Sequence, residues 1–200
     1  MNRTTEIEGV NIVLSAVGVE PLSTLVGLEG EEALAHQILD ETSRFVQQSG
    51  WNFNRDYGVE LNPDGNEEIF VSDAVVQIDQ EESELLDRDI VLRGRKLYDR
   101  KNHVYTFSKS IKVNTITLLD WDELPEPARR YVAIRAARVF NQRVLGEKAF
   151  QSATLTLRDE EGAKADLDHY DAESSDHNIF LNEFSGEIIN RRVQPRHLGY

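Results

Sequence analysis

Apolar residues at Ile7, Val10, Val13, Leu14 and Val17 recur at helical spacing, and Thr5 with Glu8 makes a capping box in front of them. This predicts a first helix, ended by Gly18. The connection that follows, VEPLSTLVGLEGE, is rich in Pro, Ser, Thr and Gly and reads as an ordered loop. A second helix is predicted from about Glu31 to Ser49, with Leu34, Ile38, Leu39, Phe45 and Val46 on its apolar face and Gly50 as its stop. From Trp51 the period shortens to two. WNFNRDYGVELN alternates large and polar residues, and Pro63-Asp64-Gly65-Asn66 supplies a turn. Short β-like runs follow at Ile69–Val71, Val75–Ile78, Ile90–Leu92, Lys96–Tyr98, Val104–Phe107 and Ile111–Leu119. Arg93-Gly94-Arg95 and Lys101-Asn102 look like hairpin tips, and the acidic run from Asp79 to Asp89 is read as a solvated loop.

Helical spacing returns at Trp121. Pro125-Glu126-Pro127 places proline and an acid in a first turn, where a missing N–H costs nothing and negative charge meets the positive end of the helix dipole. Ala128, Tyr131, Val132, Ala136, Val139, Phe140 and Val144 then form one stripe, and Gly146 is a plausible C-cap. A fourth helix of weaker pattern is predicted over Glu147 to Asp171, through Phe150, Ala153, Leu157, Leu167 and Tyr170, with Gly162 interrupting it. Past Glu173 no period is clear, yet Ile179, Phe180, Leu181, Phe184, Ile188 and Ile189 make the end too apolar for a solvating tail. The expected class is α+β. Residues 1–50 give two helices of a bundle, 51–120 an inserted small antiparallel β-domain, 121–172 the last two helices, and 173–200 an extended docking arm.

Composition narrows the function. A formal charge of −14 opposes a general surface for DNA or membrane, both polyanionic, while leaving room for DNA to slide past an acidic wall. The absence of cysteine removes disulfides and thiolate metal sites. No run has the length of a membrane span and the N-terminus lacks an apolar signal core, so a soluble protein without a signal peptide is expected.

Several short words, in order along the first three-quarters of the chain, carry a resemblance. They are Val10-Asn11 with Leu14 and Val17-Gly18, Pro21-Leu22-Ser23-Thr24-Leu25, and Gly50-Trp51-Asn52-Phe53-Asn54. Further on come Leu97-Tyr98-Asp99-Arg100, Asp122-Glu123-Leu124-Pro125-Glu126, and Ala137-Arg138-Val139-Phe140-Asn141-Gln142-Arg143 before Gly146. In these words the chain resembles the tail tubular protein A family, the adaptor ring proteins of short-tailed bacteriophages; the last fifty residues match in character more than in letters. The resemblance implies a helical bundle with a β-domain, assembled as a twelve-fold ring. Such a ring joins the portal protein above to the tail nozzle, tail tubular protein B, below, seats the tail fibre, and lets genomic DNA pass through its lumen without specific binding. It implies a place in the virion tail after assembly in the host cytoplasm, with no membrane partner, cofactor or catalytic residue.

Two surfaces stand out beside this. Arg129, Arg130, Arg135, Arg138 and Arg143 ride on the third helix, with no lysine and no acid after Glu126. Arg130, Arg138 and Arg143 are candidates for pairing with carboxylates of a neighbouring subunit, where guanidinium forks bind bidentately. The alternative is a solvated face with intrachain pairs to Asp159-Glu160-Glu161. In the arm, Ile188 and Ile189 with Arg191, Arg192 and Arg196 read as apolar anchors rimmed by arginine that grip the portal, a reading favoured over the arm folding back on its own bundle. Trp51, Phe53, Tyr57 and Trp121 are read as packing residues. The run of Asp166, Asp168, His169, Asp171, Asp176 and His177 lacks the loop ligands and glycine of a calcium site and is read as a solvated helix end; His36 and His103 are isolated in sequence. There is no GxSxG and no phosphate loop. A glycan hydrolase using a carboxylate pair such as Asp122 and Glu126 is the alternative function.

Overall fold

The computed structural model describes residues 3–80, 88–146 and 153–174. Four helices, α1 (Glu6–Ser15), α2 (Gly30–Gln47), α3 (Glu126–Leu145) and α4 (Ala153–Ser174), flank an insert of five strands along the chain, two on each side. The strands are β1 (Arg55–Leu61), β2 (Val75–Gln80), β3 (Ile90–Arg93), β4 (Lys96–Asp99) and β5 (Ile111–Thr117). The α+β class and the bundle with an antiparallel insert are as the sequence predicts. Residues 175–200, which hold nearly all of the expected arm, lie outside the described residues, as does Phe150.

The N-terminal signal works as read: Thr5 and Glu8 form the capping box of α1. Helix α3 is the axis of the bundle, packed against α1, α2 and α4. Its stripe of Ala128, Tyr131, Val132, Ala136 and Phe140 is buried with Val10, Val13, Leu14, Ile38, Leu39, Leu124 and Leu167 in one apolar cluster. Fully burying a leucine- or phenylalanine-sized side chain contributes about 1.5–3 kcal/mol, so this cluster is the main source of stability.

In the insert, β5 lies between β1 and β2, antiparallel to both, and β3–β4 is a separate hairpin. A second cluster of Ile69, Val71, Ile90, Leu97, Phe107, Ile111 and Val113 fills it. Gly94, at φ +62°, makes the tight β3–β4 turn, as Arg93-Gly94-Arg95 predicts.

The second predicted tip is built on Asp99. Its carboxylate accepts from Asp89 N (3.4 Å), Lys101 N (2.9 Å), Asn102 N (3.2 Å) and Asn102 Nδ2 (2.7 Å). Burial alone would raise its pKa; the Asn102 side chain and the three backbone donors outweigh that and hold it below the ordinary value. A depressed folded pKa stabilises above the unfolded value near 4 and loses that contribution as pH falls through the folded one. Asp99→Asn should therefore cost about 1–2 kcal/mol at neutral pH, and the gap to wild type should close on acidification below about pH 4. Urea unfolding across pH checks this; a gap independent of pH would show the carboxylate charge to be irrelevant.

Two buried amides join bundle to insert. Gln47 Nε2 donates to Leu119 O (3.1 Å) and its Oε1 accepts from Leu119 N (2.7 Å), tying the end of α2 to the exit of β5. Asn54 Nδ2 donates to Gln47 O (2.9 Å) and Thr117 O (3.1 Å). Between them Gly50, at φ +72°, brings the backbone so close to Ile116 and Arg55 that a Cβ would collide with both side chains.

Several details depart from the pattern. Phe45 is 57% exposed, because it lies at the edge of the α2 stripe centred on Ala35, Ile38, Thr42 and Val46. Tyr57 is 64% exposed: a one-turn 3-10 helix at Asn52–Asn54 and a bulge between Asp56 and Val59 break the alternation that starts at Trp51. Trp51 is buried and stacks with Phe53, centroids 6.4 Å apart. The runs Ile69–Val71 and Val104–Phe107 pair only through single bridges although Ile69, Val71 and Phe107 are buried; an apolar run reports burial, not a ladder. Asp79 and Gln80 belong to β2, and residues 81–87 of the acidic run lie outside the described residues. Helix α4 continues through Gly162 without a break, since Ala163 and Leu167 dock on the bundle and carry it past the weak position, and Leu157 is 46% exposed.

Candidate functional site

The arginines of α3 divide by position on the helix. Arg129, three residues before Val132 and seven before Ala136, falls on the buried stripe and is 3% exposed. It donates to Leu124 O (2.9 Å), Thr4 O (2.7 Å) and Asp122 O (2.6 Å), binding the N-terminus and the turn before α3 into one joint. Trp121 Nε1 donates to the same Thr4 carbonyl (3.0 Å), and Glu126 accepts from Thr4 N (2.8 Å) and Thr4 Oγ1. Trp121 is thus a packing residue, as expected, its ring seated against Gly9.

Arg135 and Arg138 converge on Glu160 of α4. Arg138 reaches both carboxylate oxygens, through Nε and through Nη2 (3.2 Å), and Arg135 Nη1 stands 3.4 Å away while also donating to Tyr131 Oη (2.8 Å). Hydrogen bonding to Glu160 pushes the Arg138 pKa up. The Arg135 guanidinium also covers the exposed Phe45 ring at 4.6 Å. Arg143 Nη2 pairs with Glu41 of α2 at 3.2 Å, and Glu41, bonded first by Gln37 and then by Arg143, has its pKa lowered. Arg130 is exposed and makes no ion pair among the described residues. Ile188, Ile189, Arg191, Arg192 and Arg196 lie outside the described residues.

A groove of about 530 Å³ runs beside the bundle, lined by Glu6, Asp40, Arg44, Gln47, Asp120, Trp121 and Asp122 among others. His36 is not isolated: its Nε2 stands 2.9 Å from Glu6 Oε1, with Asp40 one turn further along α2. Partial burial raises the Asp40 pKa, with the Glu6 charge adding to that and His36 and Arg44 opposing it. His103 meets Tyr98 Oη through Nδ1 at 3.3 Å. At the helix end read as solvated, His169 is exposed and paired with Glu173, while Asp171 receives Asn52 N (2.7 Å) at its side chain and Asn52 Nδ2 (2.9 Å) at its carbonyl. On the insert, Phe70, Val104 and Tyr105 are exposed, with Tyr105 against Tyr98 (centroids 4.7 Å) and Lys96 over Phe70 (4.9 Å).

These features are aromatic and arginine-bearing surfaces on a frame tied by side-chain-to-backbone hydrogen bonds. The chain belongs to the tail tubular protein family, whose model (Tube, tail tubular protein) matches residues 7–177, from the first turn of α1 to just beyond α4. It is accordingly a structural component of a phage tail. A search of curated proteins found no match.

The words that carried the resemblance turn out to be the joints of the fold. Asn11 clasps the backbone of Leu22 through both amide atoms (3.0 and 2.6 Å), and Asn141 Nδ2 donates to Ala16 O (3.0 Å). In Gly50-Trp51-Asn52-Phe53-Asn54 each residue has a separate task. Gly50 supplies the left-handed turn, Trp51 enters the core with Nε1 on Val46 O (2.8 Å), Asn52 holds α4, Phe53 stacks on Trp51, and Asn54 bridges α2 to β5. Asp99 builds a turn and Leu124 fills the core.

Proposed function

We propose that the chain assembles side by side into an adaptor ring, twelve copies by resemblance, set between the portal protein and the tail nozzle, with the tail fibre seated on it. The match of the tail tubular model over residues 7–177 carries this reading. The mechanism is assembly rather than bond chemistry. On α3, Arg130 is the exposed cation that faces a neighbouring subunit, with Arg143 near the helix end; Arg138, held by Glu160 within the subunit, must divide its donors between that carboxylate and a neighbour's to enter such a contact. The arm, through Ile188, Ile189, Arg191, Arg192 and Arg196, locks to the portal. A charge of −14 per copy, multiplied around a ring, gives the lumen a field that repels phosphate, so genomic DNA passes without adhering.

No observation among the described residues favours a glycan hydrolase. Of the carboxylate pair considered for it, Glu126 is taken up by Thr4 as part of the α3 joint.

Light scattering on a sizing column, with the protein alone and mixed with purified portal, tests the reading. A ring-sized species in either sample is expected, and deletion of the last fifteen residues should abolish the portal-bound species while circular dichroism stays unchanged. A monomer that ignores the portal overturns the adaptor reading; portal binding retained after the deletion overturns the role of the arm.

A further inference from the structure

His36 and Asp40 are four residues apart on α2, so their side chains project from one face on successive turns. Glu6, the first residue of α1, meets them there. One ligand atom from each lies within 4.8 Å of the other two, and the groove beside them adds the carboxylates of Asp120 and Asp122. We infer that Glu6, His36 and Asp40 form a binding site for a divalent transition-metal ion of the Zn²⁺ type, which staples the start of α1 to α2.

Chemistry selects the ion class. One imidazole with two carboxylates is a borderline donor set that suits Zn²⁺, and an imidazole nitrogen among the donors disfavours Mg²⁺ and Ca²⁺, which take oxygen alone. Ligands about 2.0–2.2 Å from a tetrahedral ion stand roughly 3.4 Å from one another. His36 Nε2 and Glu6 Oε1, 2.9 Å apart, must open by about half an ångström, and all three ligand atoms already lie within 4.8 Å of one another. That adjustment is small for side chains that are about one-third exposed, as His36 and Glu6 are. Three protein ligands leave a fourth position toward the groove for water. The acids there deepen the negative potential that draws a cation in. Nε2 is the ring nitrogen of His36 that faces Glu6, and it ligates in the tautomer that carries the proton on Nδ1.

The test is calorimetric titration of the full-length, tag-free protein with ZnCl₂, followed by thermal unfolding with and without the ion. One Zn²⁺ per chain is expected, uncompeted by Mg²⁺. At tenfold excess over Kd, Tm should rise by roughly 3–6 °C. His36→Gln should weaken affinity at least about tenfold, whereas His103→Gln, at the far hairpin, should leave it unchanged. Asp40→Asn keeps the His36–Glu6 pair intact and should also lose affinity, which separates ligation from any effect of that pair on folding. Absence of saturable binding in the wild type, or wild-type affinity retained by both His36→Gln and Asp40→Asn, overturns the site.

Discussion

Arg129→Ala should destabilise the protein by about 3 kcal/mol, lowering Tm by roughly 6–12 °C. The substitution removes a side chain that is 3% exposed and leaves the carbonyls of Leu124 and Asp122 without that donor. Thr4 O keeps only Trp121 Nε1 of its two side-chain donors. Each hydrogen bond from a charged donor contributes about 1.5–3 kcal/mol, but the three share one side chain and are not additive. Arg129→Met separates the two components of the loss: it restores apolar bulk without donors, so it should recover packing and little else. Arg129→Lys should fall between wild type and alanine, because one ammonium cannot fan across three carbonyls as a guanidinium does. Urea unfolding followed by the fluorescence of Trp121 and Trp51 measures all three. A methionine variant as stable as wild type would show that the carbonyl bridge contributes nothing.

The same residue shows what the sequence made visible and what it hid. Its spacing to Val132 and Ala136 placed it on the buried stripe, but an arginine among five arginines reads as surface when charge is weighed before period. Helix ends were legible because their signals are local: Thr5 with Glu8, or two prolines around Glu126, act within one turn. The β-insert was legible as composition and turns, less so as pairing. Ile69 and Val71 bury as strand residues do without forming a ladder, and the 3-10 turn at Asn52–Asn54 with the bulge at Tyr57–Gly58, where Gly58 N meets Asn114 Oδ1 (3.0 Å), explains why Tyr57 is exposed. The meeting of His36 with Glu6 spans thirty positions and two helices, and no spacing rule reaches that far.

The family frame gives these joints a functional sense. In the proposed ring each subunit would transmit load between its neighbours, so its elements must not slide. The half-buried amide of Asn11 and the buried amides of Gln47, Asn54 and Asn141 fix helix to loop and bundle to insert by directional bonds, which apolar packing alone does not provide. Aromatic side chains left outside, such as Phe45, Tyr57, Phe70 and Tyr105, are then available for contact without weakening the frame.

Glu160→Ala should cost more than Arg138→Ala, about 2–3 kcal/mol against about 1–2. The asymmetry follows from numbers of charges. One carboxylate, 11% exposed in its side chain, serves two guanidinium groups; removing it leaves Arg135 and Arg138 facing each other with no anion between them. Removing Arg138 instead leaves Glu160 with Arg135, whose Nη1 is already 3.4 Å away. Arg138 is 20% exposed, so the pair lies between the surface and buried limits, and a double-mutant cycle should give a coupling of about 1–2 kcal/mol that weakens with salt. Because Glu160 is one of the few polar ties between α3 and α4 among the described residues, its loss should also expose the amides of α4 to hydrogen exchange before those of α3. Equal costs would mean that Arg135 takes no share of Glu160, and a coupling near zero would mean that Arg138 is not engaged within the subunit in solution. Its guanidinium would then be as free as that of Arg130 to take a carboxylate from the next subunit. The cycle therefore measures stability and, in the same numbers, decides which arginine of α3 is left for assembly.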